Sequence, residues 1–360
     1  MPILRWSAAL VFVAMPIARR CVDFLRRTRM TWRYFVRGRF HSFGLARNFL
    51  VLFVVCTAFG CIAPAQMSQA AIERVEMLHS QIKSAEGQHA ADAQLGALWL
   101  RLANVYEDQL QFAEAEGAFA RSLRLLRTSG PQAAYADALD GMGSLYLDTG
   151  RLSEAGNYVK KSLALFESLG NRAATARLHE TMALVLIFGH KFRESEMESA
   201  ESIREGEAEA RADKRELTAA YLTHGYAICY LGRCSAALED TNRAMTISQA
   251  AFPANSMEMA GAWLARGFEF WKSGSPDEGA RAMQQALKLV RSRTDLPRTL
   301  FVSEQLGVMR EYDELLKATH RKPEAVQIES EIARLESEQR LACNGCTVSV
   351  ATLMPGPLLR

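Results

Sequence analysis

Seven cysteines and seven histidines are the side chains of this 360-residue sequence best suited to chemistry, and their spacing limits what that chemistry is. Near the C-terminus Cys343-Asn344-Gly345-Cys346 brackets a dipeptide that favours a two-residue hairpin turn, which would set one thiol opposite the other. The spacing is open to a local disulfide, to unpaired thiols, to a metal site and to a thioredoxin-like redox pair. A disulfide is the expectation. Zinc would want a second ligand pair nearby, and a redox pair would want a strand before it and a helix after it, whereas a helical pattern precedes this motif. Cys229 and Cys234 stand five residues apart across a turn and read as small core fillers. No His-Glu-x-x-His occurs, no Ser/His/Asp set can be assembled, and the glycines form no phosphate loop. The sequence therefore implies no enzyme, no metal and no cofactor.

Charge divides the chain. Residues 1–48 hold ten arginines, no lysine and a single acid, Asp23, for a net charge of +9; the whole-chain value of +3 leaves −6 on the remainder. An apolar run from Phe49 to Ala63 follows, then Ala63-Pro64-Ala65. A basic n-region, an apolar h-region and small residues before a cleavage point are the parts of a secretory signal, and they predict a mature chain starting at Gln66, after Ala65. The run is shorter than the roughly 20 residues of a spanning helix. An uncleaved anchor and lipid attachment at Cys61 are the alternatives, the second weakened by Ala58 and Phe59 where a lipobox has leucine and a small residue. The basic stretch is long for a leader, and Met30 would give a more ordinary start. Export, to the periplasm or a membrane surface, is the expectation, with membrane attachment only through the leader. Arginines placed ahead of an export signal, on an otherwise acidic chain, do not suggest nucleic acid.

These residues must be carried by some scaffold, and its pattern repeats. With Ala136 as position 1, Leu139, Met142, Gly143, Tyr146, Gly150, Ala155, Val159, Ser162 and Leu163 fall at offsets that recur from Trp99, His179, Tyr221 and Trp263, and more weakly from Met309, every 40 to 46 residues. Apolar positions 4, 7 and 11 form one helical stripe, and positions 20, 24, 27 and 28 another. Each unit is thus a helical hairpin. Small residues at positions 8 and 20 let the two backbones approach. Position 15 holds Gly150, Gly232 and Gly274, where a left-handed residue ends the first helix, and His190 and His320 take that place in other units, reading as helix terminators rather than ligands. Breaks between units fall at Ser129-Gly130-Pro131, Gly170-Asn171, Pro253-Ala254-Asn255 and Asp295-Leu296-Pro297.

The pattern resembles the tetratricopeptide repeat family over about residues 70–338, best at Trp99 to Ser122 and Leu139 to Ser162. It lacks the terminal proline, and its longer period is similar to the branch seen in kinesin light chains and bacterial peptide-sensing regulators. The resemblance implies an all-α right-handed solenoid of about six hairpins that binds a protein or peptide on its concave face. The chain accordingly divides into a leader at 1–65, a lead-in helix at 66–95, the repeats at 96–338 and the Cys-x2-Cys tail at 339–360. Positions 2, 5, 9, 12 and 13 of each first helix point away from the packed stripe. They give an acidic end, with Asp137, Asp140 and Asp148 beside Glu107 and Asp108, and an aromatic middle, with Ile187, Phe188, Tyr226, Tyr230, Phe268 and Trp271. Of the lysines and asparagines with which some members grip a C-terminal carboxylate, only Asn104 is present. An exported scaffold or adaptor is the expectation, its partner segment carrying apolar anchors and a basic end; a sensor of a short peptide or small ligand is the alternative.

Overall fold

The computed structural model describes residues 69–209, 213–296 and 298–342. Regular structure among these residues is α-helical throughout. A lead-in helix, α1 (Gln69–Gly87), is followed by six antiparallel pairs: α2 (Asp92–Asp108) with α3 (Phe112–Ser129), α4 (Gln132–Asp148) with α5 (Leu152–Ser168), and α6 (Arg172–Phe188) with α7 (Phe192–Ala208). Then come α8 (Lys214–Tyr230) with α9 (Cys234–Ala251), α10 (Met257–Lys272) with α11 (Pro276–Arg291), and α12 (Arg298–Ala318) with α13 (Lys322–Ala342).

Every hairpin reverses on one left-handed residue at position 15. Gly150, Gly232 and Gly274 have φ of 74°, 85° and 93°, and His190 and His320 adopt 58° and 59°. Leu110 completes the set at 57°, in a conformation that crowds its Cβ. The residue after each turn donates its N–H back to the last turn of the first helix, as in Arg151 to the Tyr146 carbonyl at 2.7 Å and Lys191 to that of Leu186 at 2.8 Å. Such bonds satisfy carbonyls that the helix end would leave unpaired. The two imidazoles terminate helices, as their position implied.

Within a hairpin the small residues do what their spacing suggested. A Cβ on Gly143 would lie 2.8 Å from Val159 Cγ2, so only glycine lets α4 and α5 meet there. Ala155, Val159 and Ser162 are fully buried opposite it. The buried serines donate across the pair: Ser122 Oγ to the Gly96 carbonyl and Ser162 Oγ to the Ala136 carbonyl, each at 2.8 Å. Apolar packing gathers into one large cluster spanning α1 to α6 and another spanning α8 to α13. Between them α7 buries Ser195, Ser199, Ser202 and Gly206.

One expectation needs correcting. Cys229 and Cys234 are buried, but as a disulfide that ties the end of α8 to the start of α9. The left-handed turn at Gly232 brings their Cα atoms within 3.9 Å, which no spacing argument revealed.

Candidate ligand-binding groove

The first helices of the last four hairpins, α6, α8, α10 and α12, enclose a cavity of about 320 Å³. Its wall is mostly apolar: Leu184, Ile187 and Phe188 from α6, Leu222, Tyr226 and Tyr230 from α8, Leu264 from α10 and Val308 from α12. Ala219, Gly261 and Gly307 leave the space open. Nearly all the contributions from α6, α8 and α10 fall at positions 2, 5, 9, 12 and 13, because those positions face away from the second helix of the same hairpin. The volume is at the small end for a ligand site.

Behind this wall aromatic rings form a continuous column across three hairpins. Phe192 stacks on Tyr230 at 4.5 Å, Tyr230 meets Phe268 at 4.9 Å, and Phe268 meets Tyr226 at 5.1 Å and the edge of Trp271 at 6.2 Å. Lys272 Nζ caps the far end, 3.9 Å above the Trp271 ring. Burial pushes the Tyr226 and Tyr230 hydroxyls well above the usual phenol range.

Carboxylates are set into the same wall. Glu180 on α6 accepts from Thr223 Oγ1 at 2.7 Å through Oε1, while its Oε2 is buried without a hydrogen-bond partner. On α12, Glu311 accepts from the Tyr226 hydroxyl at 3.3 Å, a contact between residues 85 apart in sequence, and Glu304 lies about two turns ahead of it. Burial is the main influence on all three acids. It pushes Glu180 and Glu311 up to about 7, against the opposing hydrogen bonds from Thr223 and Tyr226, and raises Glu304. Among the described residues no lysine, arginine or histidine lines this cavity.

Of the residues expected in the groove, Ile187, Phe188, Tyr226 and Tyr230 line the cavity. Phe268 does not: it is 3% exposed, enclosed by its neighbours in the aromatic column, and Trp271 flanks it at the column's end. Asp137 is exposed and away from the cavity. Asp140 is a buried ion-pair partner rather than a docking residue, because Arg177 of the next unit reaches it and also Glu216 at 3.4 Å, joining α4, α6 and α8. Glu107 lies within the field of Asp148, and the two are held up at about 8 and about 6, chiefly by burial. Glu180, Glu304 and Glu311 went unnoticed in the sequence. Glu180 occupies position 5 and could have been found by the same rule; Glu311 depends on how far α12 curls back toward α8.

His179, Glu201 and Glu205 bring ligand atoms within 4.8 Å of one another, but each is engaged by the protein itself. His179 Nδ1 bonds Glu198 at 2.7 Å, Glu201 pairs with Arg204, and Glu205 accepts from Thr175 at 2.5 Å. Ala65, Gln66, Cys343 and Cys346 lie outside the described residues. No helix among the described residues is long and apolar enough to cross a membrane.

Six hairpins sharing one turn geometry, with the first helices of the last four walling a cavity, define an α-solenoid of the kind that mediates protein–protein interaction. Residues 94–168 match the tetratricopeptide repeat family model, and the hairpins that follow repeat the same two-helix architecture. No curated protein matches the sequence. Among solved structures the fold is similar to the apo form of RapI, at 14% identity and a TM-score of 0.59 over 72% of this chain and 89% of that one. It is similar also to aspartyl phosphate phosphatase F from Bacillus subtilis, at 12% identity and 0.60 over 74% and 68%. A Rap protein complexed with Competence and Sporulation Factor aligns at 12% identity and 0.54 over 76% and 88%.

Proposed function

We propose that this chain is an exported, non-catalytic scaffold or adaptor that holds a segment of another protein between α6, α8, α10 and α12. The observation that carries this reading is the apolar cavity bounded by four consecutive first helices, where a large side chain could anchor. A short free peptide is the second reading, favoured by the small volume of the cavity, about 320 Å³. A Rap protein of similar fold has been captured in complex with Competence and Sporulation Factor, which supports ligand capture by such a solenoid. Export is supported by the leader and by the Cys229–Cys234 bond, a link that oxidising compartments sustain.

Gly307 supplies the test. A Cβ there would meet no atom within 4 Å, so Gly307→Leu begins in open space and puts its side chain into the cavity. Peptides selected from a displayed random library against the native protein should bind Gly307→Leu at least about tenfold more weakly, the loss of one anchor contact. Equal binding by both proteins would remove the groove from the account. Mass spectrometry of the exported protein should find Gln66 at its N-terminus; a diacylglyceryl-modified Cys61 would instead establish lipid anchoring.

A further inference from the structure

Among the described residues four acids are buried: Asp140 and Asp313 receive a cation, Glu180 and Glu269 a threonine hydroxyl alone, and of the last two only Glu180 borders the cavity. Asp140, 6% exposed, has Arg177, and Asp313, also 6% exposed, has Lys317 at 2.7 Å. Glu180 is equally buried, yet it has one hydroxyl on Oε1 and nothing on Oε2. Glu311 has a phenol at 3.3 Å, longer than a strong charge-assisted bond. Glu304 adds a third carboxyl to the same wall. Taking carboxylates out of water without a cation is costly. Here three of them border one cavity whose remaining surface, apart from Thr223 and Ser303, is aromatic and aliphatic.

We infer that the cavity takes a cationic side chain, a lysine or arginine set beside an apolar residue in the partner segment, with its charged head between Glu180 and Glu311. The inference rests on the groove reading above and specifies what the groove selects. The aliphatic stem of the cation lies along Leu184, Leu222 and Leu264, as long basic side chains do on apolar surface. The Tyr226 and Tyr230 rings add the attraction of an aromatic face for a cation. An anionic partner meets only like charge in this cavity, and a neutral one leaves Glu180 Oε2 unpaired, so charge discriminates as well as shape.

The test uses two capped tripeptide libraries on the full mature protein at pH 8, with any apolar residue at the outer positions and either lysine or norleucine in the centre. Retention is read by affinity selection and mass spectrometry. The lysine library should be retained at least tenfold more than the norleucine library, and Glu180→Gln and Glu311→Gln should each bring the ratio of lysine to norleucine retention close to one. Both substitutions remove a buried charge, so the variants are expected to fold, which a circular dichroism melt verifies. Equal retention of the two libraries, or a lysine preference that survives Glu180→Gln with Glu311→Gln together, overturns the inference. Retention of norleucine peptides alone also overturns it while leaving the groove reading intact. If neither library is retained although displayed peptides bind in a Gly307-sensitive way, the cation is refuted and the groove again stands.

Discussion

Glu269 offers a direct measurement of how strongly the interior of the fourth and fifth hairpins excludes water. It lies on α10 at 1% exposure, its Oε1 accepting from Thr241 at 2.6 Å and its Oε2 buried without a hydrogen-bond partner. Burial, aided by the charge of Asp240 and opposed by the Thr241 bond and Arg266, pushes it from 4.5 up to about 8. The folded protein then holds this proton more tightly than the unfolded chain does. Its contribution to stability is fully present below pH 4.5 and is lost as pH rises through about 8. The size of the effect follows from the shift, at about 1.4 kcal/mol for each factor of ten, giving at most about 5 kcal/mol. Glu269→Gln keeps the acceptor for Thr241 and cannot ionise. Urea unfolding followed by circular dichroism at pH 5 and pH 9 should show the native protein losing stability with pH more steeply than the variant. Glu180 and Glu311 titrate in the same direction, so the variant retains part of the slope. Parallel pH profiles for the two proteins would refute the claim that Glu269 is desolvated.

Three further outcomes follow from the packing. Gly267→Ala should destabilise by about 1–3 kcal/mol, because its Cβ would lie 2.6 Å from Met283 Cγ and 3.0 Å from the Gly279 carbonyl, whereas Gly307→Ala, in open space, should be neutral or gain up to about 1 kcal/mol; equal melting temperatures would contradict the close approach of α10 and α11. Reducing Cys229–Cys234 should cost about 2 kcal/mol, the loop entropy of so short a closure, and unchanged melting with and without reductant would exclude the bond. Phe268→Ala should lose about 3–5 kcal/mol as the centre of the aromatic column, with Trp271→Ala losing less because its ring is only partly covered; the reverse order in thermal melts would misplace both.

What the sequence disclosed was local. A turn residue, two stripes and a pair of small contact positions are all fixed within one unit, so Gly150, Gly143 and Tyr146 could be assigned by spacing, and His190 and His320 could be read as terminators. The same logic found Tyr226, Tyr230, Ile187 and Phe188, since the outward face of a first helix is set by its own hairpin. It failed where neighbouring units decide. Phe268 shares position 9 with Leu184 and Tyr226, but only Phe268 is closed in by rings from the hairpin before it and by Trp271 on its own helix. Asp140 looked like part of an acidic end until Arg177, one repeat later, reached it. The disulfide depended on a Cα separation, and the Glu311–Tyr226 contact on the accumulated turn of two hairpins. Neither distance exists within a single repeat.

That contrast bears on why Glu180 and Glu311 matter. In a solenoid each hairpin is stabilised mainly by its immediate neighbours, so a local electrostatic cost is carried locally and the rest of the array can tolerate it. A basic residue on the adjoining first helix could relieve such an acid, as Arg177 does for Asp140 one unit earlier. The positions equivalent to Arg177 on α8, α10 and α12 instead hold Ala219, Gly261 and Gly307. A ligand bringing its own cation would satisfy the carboxylates and cover the apolar wall in the same step. Its binding would then stabilise the last four hairpins in proportion to the logarithm of its concentration above Kd. Affinity and stability would therefore rise together for a basic segment and separate for a neutral one of the same shape.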